Sequence, residues 1–198
     1  MPGSLFGSGS ETESVNEDGT SSESPAGLEY IPNALPDELV EPLMEYLAVN
    51  IANHQQLHLF PPIPAVILDV SRLCIPQSWK DKLWNGHDME AGIIQKYEMG
   101  QGIGWHVDLD RFTDGVAILS LLSATTLSFR HVMDHARRCD VKLEPGSAVL
   151  MSGEARYEWE HSIEAKDWDG SEETGWWKRG RRISVTMRRV RDDRKTES

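Results

Sequence analysis

"RGRRISVTMRR", residues 179–189, alternates without a break from Arg182 to Arg188. Arg182, Ser184, Thr186 and Arg188 share one parity; Ile183, Val185 and Met187 share the other. A period of two predicts a β-strand, because successive side chains on a strand point to opposite faces. One face is apolar and suits a core. The other carries two guanidiniums bracketing two hydroxyls. Four inward polar side chains are costly in a core unless an anion compensates them. A carboxylate is such an anion, since Arg grips it through a bidentate fork. The competing reading is a basic edge strand that faces water.

Outward from that stretch, short strands dominate. "GIIQKYE", "GIGWHVD", "GVAILSLLS", "TTLSFRHV", "DVKLE", "SAVLMSG" and "WEHSI" precede it, punctuated by Gly, Asp and Pro. Two helices are expected before them. In "LPDELVEPLMEYLAVNI", Leu39, Leu43, Leu47 and Ile51 recur every four residues, which is one helical face. Pro36 suits its first turn, and Pro42 requires a late start or a bend. "IPQSWKDKLWNG" is the second helix, closed by Asn85-Gly86. Between them "HLFPPIPAVILDV" is read as a proline-broken loop followed by a short strand, and "DWDGSEETGWWK" as a loop over a barrel mouth. Eight strands after two helices predict an α+β protein with a barrel or double-sheet jelly roll.

The 198 residues suit one domain with appendages. Residues 1–28 are rich in Ser, Gly, Glu and Thr with few large apolar residues, and are expected to form a disordered acidic tail. The ordered domain is expected over 29–191, with a flexible C-terminal tail over 192–198. Formal net charge is −12. Six of those charges, Glu11, Glu13, Glu17, Asp18, Glu23 and Glu29, lie within residues 1–29, which hold no Lys or Arg. Such an excess argues against bulk electrostatic capture of nucleic acid, which needs clustered cations. It leaves room for a local basic surface, because Lys178, Arg179, Arg181, Arg182, Arg188, Arg189 and Arg191 crowd the C-terminal end. Cys74 and Cys139 form neither a CxxC pair nor a disulfide framework, so a reducing compartment, cytoplasmic or nuclear, is expected. No apolar run reaches the length of a membrane span. A monomer is expected.

His106 and Asp108, in "GWHVDLDRF", are two residues apart and so share a strand face. An imidazole and a carboxylate placed that way can take adjacent positions on one metal. A third ligand must come from elsewhere, and His161 in "YEWEHSIEA" is the best candidate, flanked by apolar and aromatic residues. Two histidines and one carboxylate leave open positions, as in non-haem Fe(II) oxygenases, whereas structural zinc takes four closed ligands. The bland alternative is a core histidine satisfied by a hydrogen bond. "IIQKYEMGQG" adds Gln95 and Tyr97, again two apart.

Taken together, Gln95-x-Tyr97, His106-x-Asp108, His161, and Arg182 with Arg188 six later resemble the AlkB-like Fe(II)/2-oxoglutarate-dependent dioxygenases. "YEMGQGIGWHVD", "LSLLS", "LEPGSAVLMSGEARYEWEHSI" and "KRGRRISVTMRRVR" are similar to stretches of eukaryotic AlkB homologues, over about Gly92 to Arg191. The resemblance implies a double-stranded β-helix supported by the two N-terminal helices. It implies Fe(II) held by His106, Asp108 and His161. It implies 2-oxoglutarate bound by Arg182, Ser184, Arg188, Tyr97 and Gln95, with O2 as the other co-substrate. The implied reaction is hydroxylation or oxidative demethylation.

The substrate stays open between alkylated RNA or single-stranded DNA, a protein and a small molecule. "HQQLHLFPPIPAVILDVSRL" is short for a base-reading lid and has no basic or aromatic cluster. Asp110 is either a turn residue or a substrate contact. Arg156 and Trp105 are further candidate substrate contacts. A non-catalytic dioxygenase-like binding protein is the alternative of a different class.

Overall fold

The alternation from Gly92 onward builds two facing antiparallel sheets in the computed structural model, which describes residues 24–191. In chain order the strands are Leu28–Ile31 (β1), Gln56–Leu59 (β2), Ala91–Tyr97 (β3), Ile103–His106 (β4), Val116–Leu121 (β5) and Thr125–His131 (β6). They continue with Arg138–Leu143 (β7), Ala148–Met151 (β8), Trp159–Ile163 (β9), Trp168–Ser171 (β10), Gly175–Lys178 (β11) and Arg182–Arg188 (β12). The helices are Asp37–Asn50 (α1), Ala65–Cys74 (α2), Gln77–Leu83 (α3) and the short Gly153–Tyr157 (α4). The larger sheet runs β1-β8-β5-β12-β3-β2, and the smaller runs β4-β9-β6-β7. All eight stretches expected to be strands from Gly92 onward contain one.

Two cores follow from the two faces of the larger sheet. Ala117, Leu119, Leu121, Ala148, Leu150, Ile183, Val185 and Met187 point outward and pack beneath the helices. The opposite parity, with Val116, Ile118, Val149 and Met151, points inward and meets Leu127, Phe129, Leu143, Trp159 and Ile163 from the smaller sheet. The double-sheet arrangement is the jelly-roll type expected. β12 lies between β3 and β5 near the centre of the larger sheet, so its polar parity is enclosed. The basic-edge reading of that strand is thereby excluded.

Three helices, rather than two, precede β3. α1 carries Leu39, Leu43 and Leu47 inward, with Ile51 buried at its C-cap, and it continues through Pro42 on its exposed side. The difference is α2. "AVILDV" was expected as a strand on its branched residues, yet it is helical after Pro64. Its buried positions, Ile67, Val70, Ser71 and Cys74, keep the i, i+3, i+4, i+7 spacing of one helical face. Packing of that face against α1 overrides the local strand preference. "DWDGSEETGWWK" is likewise not a loop but the hairpin β10–β11.

Leu28, assigned to the tail on composition, opens β1 and pairs with Met151. Residues 1–23 of the expected acidic tail, and the expected tail over 192–198, lie outside the described residues. Among the described residues no helix is long and apolar enough to cross a membrane.

Two glycines flanking the start of β4 differ sharply. A Cβ on Gly102 would lie 2.1 Å from the Ile163 carbonyl oxygen and 2.9 Å from the Ala165 nitrogen, both backbone, whereas a Cβ on Gly104 would meet nothing within 4 Å. Gly102→Ala is therefore expected to prise β4 from β9 and destabilise the protein by about 3 kcal/mol, near the upper end of ordinary single substitutions. Gly104→Ala should change stability by less than about 1 kcal/mol. Urea unfolding of the two variants checks the contrast.

Candidate active site

The site grows from the pairing of β4 with β9. His106 lies directly opposite His161, and Ile103 lies opposite Ile163. Three steps on β4 thus match two on β9, which is a β-bulge. The bulge lets Ile103 and His106 both face inward although they differ in parity. It also brings the Gly104 carbonyl to 2.8 Å from His106 Nδ1. A carbonyl only accepts, so Nδ1 carries the proton and the Nε2 lone pair is left for a metal. The rings of His106 and His161 are 4.3 Å apart between centroids.

Asp108 follows β4 and is buried. Its Oδ1 accepts a very short hydrogen bond from Arg188 Nη2. Its Oδ2 lies 4.0 Å from His161 Nε2 and has no hydrogen-bond partner. His161 Nδ1 is also buried without a partner. Burial pushes the His161 pKa down to about 4, although the Asp108 carboxylate opposes this. The imidazole is therefore neutral at pH 7, as a metal ligand must be. Among the described residues no three His, Cys, Asp or Glu side chains close on one point as a finished cage. The three groups are gathered, and the Asp108 carboxylate is partly turned to Arg188. The buried unpartnered atoms of Asp108 and His161, and this donor set, fit a divalent cation.

Arg182 enters the same interior from β12. It is 5 % exposed, its Nε donates to Ser120 Oγ at 2.9 Å, and its guanidinium carbon lies 5.4 Å from the centre of the Tyr97 ring. Among the described residues no carboxylate pairs with it. Burial pushes its pKa down to about 10, which leaves it charged at pH 7. An unpaired buried guanidinium calls for an anion. Tyr97 stands opposite Arg182 and Gln95 opposite Ser184, so all four side chains share the inner face. Burial raises the Tyr97 pKa, with Arg182 and Ser184 opposing the shift. The tyrosine therefore remains a hydrogen-bond donor.

The Arg182 end is closed by a cluster that sequence reasoning missed. Asp169, on β10, is fully buried. It accepts from Arg179 Nε at 2.6 Å and from the Thr126 N–H at 2.9 Å. Arg179 also donates to Thr125 Oγ1 and to the Glu164 and Lys166 carbonyls. Burial alone would raise the Asp169 pKa, but the Thr126 N–H and Arg179 outweigh it and the net shift is downward. Asp169 was read as part of a surface loop; only the hairpin turns it inward.

Residues 27–188 match the 2OG-Fe(II) oxygenase superfamily. The chain belongs to that family. The oxygenase is 35 % identical over 121 residues to the tRNA (carboxymethyluridine(34)-5-O)-methyltransferase alkbh8 of Xenopus tropicalis, covering 53 % of this chain and 19 % of that protein. It is 36 % identical over 86 residues to the mouse mitochondrial alpha-ketoglutarate-dependent dioxygenase alkB homolog 7, covering 42 % of this chain and 38 % of that one. The chain therefore spans well under half the length of either relative. In fold it is similar to the solved structure of OsALKBH1, with a TM-score of 0.57 at 16 % identity over 82 % of this chain and 98 % of that one. The family's name gives Fe(II) and 2-oxoglutarate as cofactors, and several of the chain's relatives carry AlkB-homologue names.

The three candidate substrate contacts of this oxygenase part company. Asp110 is exposed in the turn after Asp108. Trp105 is next to His106 and so takes the opposite face of β4, where the Arg130 guanidinium covers it at 4.4 Å. It lines a groove of about 1020 Å³ on the outer side of the smaller sheet, together with Ser128, Ser162, Lys142 and Trp177. None of His106, Asp108, His161 and Arg182 lines that groove. Arg156 is 2 % exposed and bonds to backbone carbonyls, so it is not presented to a substrate.

Asp169→Asn leaves Arg179 buried without its counter-charge. A loss of about 3–5 kcal/mol at pH 7 is expected. A carboxyl with a lowered pKa stabilises above its unfolded value, 3.8, and loses that contribution as pH falls through the folded value. The gap between wild type and variant should therefore narrow between pH 7 and pH 3, read by urea unfolding at both.

Proposed function

We propose that His106, Asp108 and His161 hold Fe(II), and that Arg182, Ser184, Tyr97, Gln95 and Arg188 hold 2-oxoglutarate, in an AlkB-type dioxygenase. One observation carries the reading. Arg182, a buried guanidinium that no described carboxylate pairs with, lies on the same inner face of β12 as Arg188, which holds Asp108, while Asp108 Oδ2 and His161 Nδ1 are buried without partners. A dicarboxylic co-substrate satisfies the first and a cation the second.

Bound there, Fe(II), 2-oxoglutarate and O2 supply oxidative decarboxylation to succinate and CO2 with hydroxylation of a substrate C–H bond. The chain supplies position and exclusion of water. Gly104 fixes the His106 tautomer through Nδ1. Arg182, held by Ser120, meets one end of the co-substrate, with the Tyr97 hydroxyl beside it. Arg188 stands at the Asp108 end and steadies both that carboxylate and the nearer end of the co-substrate. Asp169 and Arg179 seal the chamber behind Arg182.

Alkylated RNA or single-stranded DNA is the substrate class we favour, for hydroxylation or oxidative demethylation. Support comes from the tRNA-modifying name of the frog relative and from the exposed Asp110 two residues beyond Asp108. The same chemistry on a protein or small molecule is the second reading. It is favoured by residues 54–73, which form β2 and the packed helix α2 and offer no basic, aromatic lid. A non-catalytic binding protein has little to recommend it while both buried arginines and all three metal-binding side chains stand in one chamber. Two free cysteines, Cys74 buried and Cys139 half-buried, accord with a reducing cytoplasmic or nuclear setting for a monomer.

Succinate release from 2-oxoglutarate with Fe(II) and O2 tests the chemistry. His106→Ala, Asp108→Ala and His161→Ala should each lower turnover at least about 100-fold. Arg182→Ala should weaken 2-oxoglutarate binding by about 100-fold, the worth of two charge-assisted hydrogen bonds. Undiminished turnover in any of these overturns the assignment. Formaldehyde release and mass change on methylated RNA, DNA and peptide then identify the substrate class.

A further inference from the structure

The strongest unexplained group in the molecule is Arg156. It is almost wholly buried, yet among the described residues no carboxylate pairs with it. Its Nη1 donates to the Asp108 carbonyl at 2.9 Å and its Nη2 to the Leu109 carbonyl at 2.7 Å. Its Nε is buried with no partner. A guanidinium spent on two carbonyls is a costly way to fill space, since an apolar side chain of that size would pack without desolvating a charge. What the guanidinium offers instead is a rigid planar fork. Two bonds from one plane fix the two successive peptides they grip relative to each other.

Those peptides, Asp108–Leu109 and Leu109–Asp110, follow directly on the Asp108 Cα, so the tilt of the first sets where the Asp108 side chain begins. Arg156 itself stands on α4, five residues before His161 on β9. Its base is firmly held. The Gly153 N–H donates to both carboxylate oxygens of Asp114, at 3.0 and 3.2 Å, and Trp159 Nε1 donates to Glu154 Oε1 at 2.8 Å. The far side of the turn is closed by the Phe112 N–H on the Leu109 carbonyl at 3.3 Å. Arg156 thus ties the segment that carries His161 to the segment that carries His106 and Asp108.

We propose that Arg156 is a positioning residue that sets the Asp108 carboxylate relative to His161 by clamping the Asp108–Leu109 peptide. This rests on the reading of His106, Asp108 and His161 as metal ligands. Asp108 reaches within 4.0 Å of His161 without touching it, so a small shift of its backbone changes the space between them. Loss of such a support typically costs 10–100-fold in metal affinity.

The test uses the full chain, stripped of metal and without co-substrate. Mn(II) is titrated and the free ion read by electron paramagnetic resonance; Co(II) absorption reports ligand geometry. Arg156→Met, similar in length, should raise the Mn(II) dissociation constant about 10–100-fold and alter the Co(II) bands. Arg156→Lys, which keeps the charge but reaches one carbonyl, should fall between. Titrations run well below the melting temperature of each metal-free variant separate positioning from stability. Mn(II) affinity within twofold of wild type and unchanged Co(II) bands, whatever the melting temperature, overturn the proposal. If Arg156→Met does not fold, the lysine variant decides by the same two readings. Wild-type protein that binds no Mn(II) overturns the reading of the metal site itself, and this inference falls with it.

Discussion

Everything at the centre of this molecule depends on how β4 pairs with β9. A regular pair would place every second residue of β4 inside, and Ile103 and His106 could not both be there. The extra residue in the bulge resolves this. It keeps an apolar side chain in the core, turns an imidazole into the chamber, and aims a backbone carbonyl at Nδ1 of that imidazole. The absence of a side chain at Gly102 is part of the same device, because β9 runs too close to admit one.

Charge is the second constraint. The chamber gathers Arg156, Arg182 and Arg188 with one carboxylate, Asp108, among them. In a low-dielectric interior such an excess persists only where something is gained by it. Each arginine has a different use for its charge. Arg188 holds a side-chain carboxylate, Arg156 holds two carbonyls, and Arg182 faces the open chamber with a hydroxyl at its Nε. Beside them Asp169 and Arg179 neutralise each other and close the end. The larger sheet can carry so polar an inner face because its outer face is mainly apolar and packs beneath the helices.

The family sets the chemistry, and the surroundings of the chamber set the substrate. One relative's name specifies a tRNA while the other's names only its co-substrate, and this chain spans only a minor part of each. The turn at Asp110, just beyond Asp108, is exposed.

Much of this was legible in one dimension. Period-two patterning needs no tertiary context, so the strands from Gly92 onward, the inner parity of Arg182 to Arg188, and the shared face of His106 and Asp108 could be read directly. The apolar face of α1 was legible for the same reason, at a period of four. The same parity also places Trp105 opposite His106, a conclusion the sequence already contained but which the eye for aromatic residues passed over. Other features were decided only by the folded chain. Whether "AVILDV" is helix or strand depended on α1 offering a surface to a helical face. Whether Asp169 is a loop carboxylate or a buried counter-ion depended on the β10–β11 hairpin turning it toward Arg179. That Arg156 clamps the Asp108 peptide rather than meeting a substrate depended on 48 residues of chain folding back between them. A strand's period is a local property of the backbone, whereas burial and partnership belong to pairs of residues far apart in sequence, and only their packing assigns them.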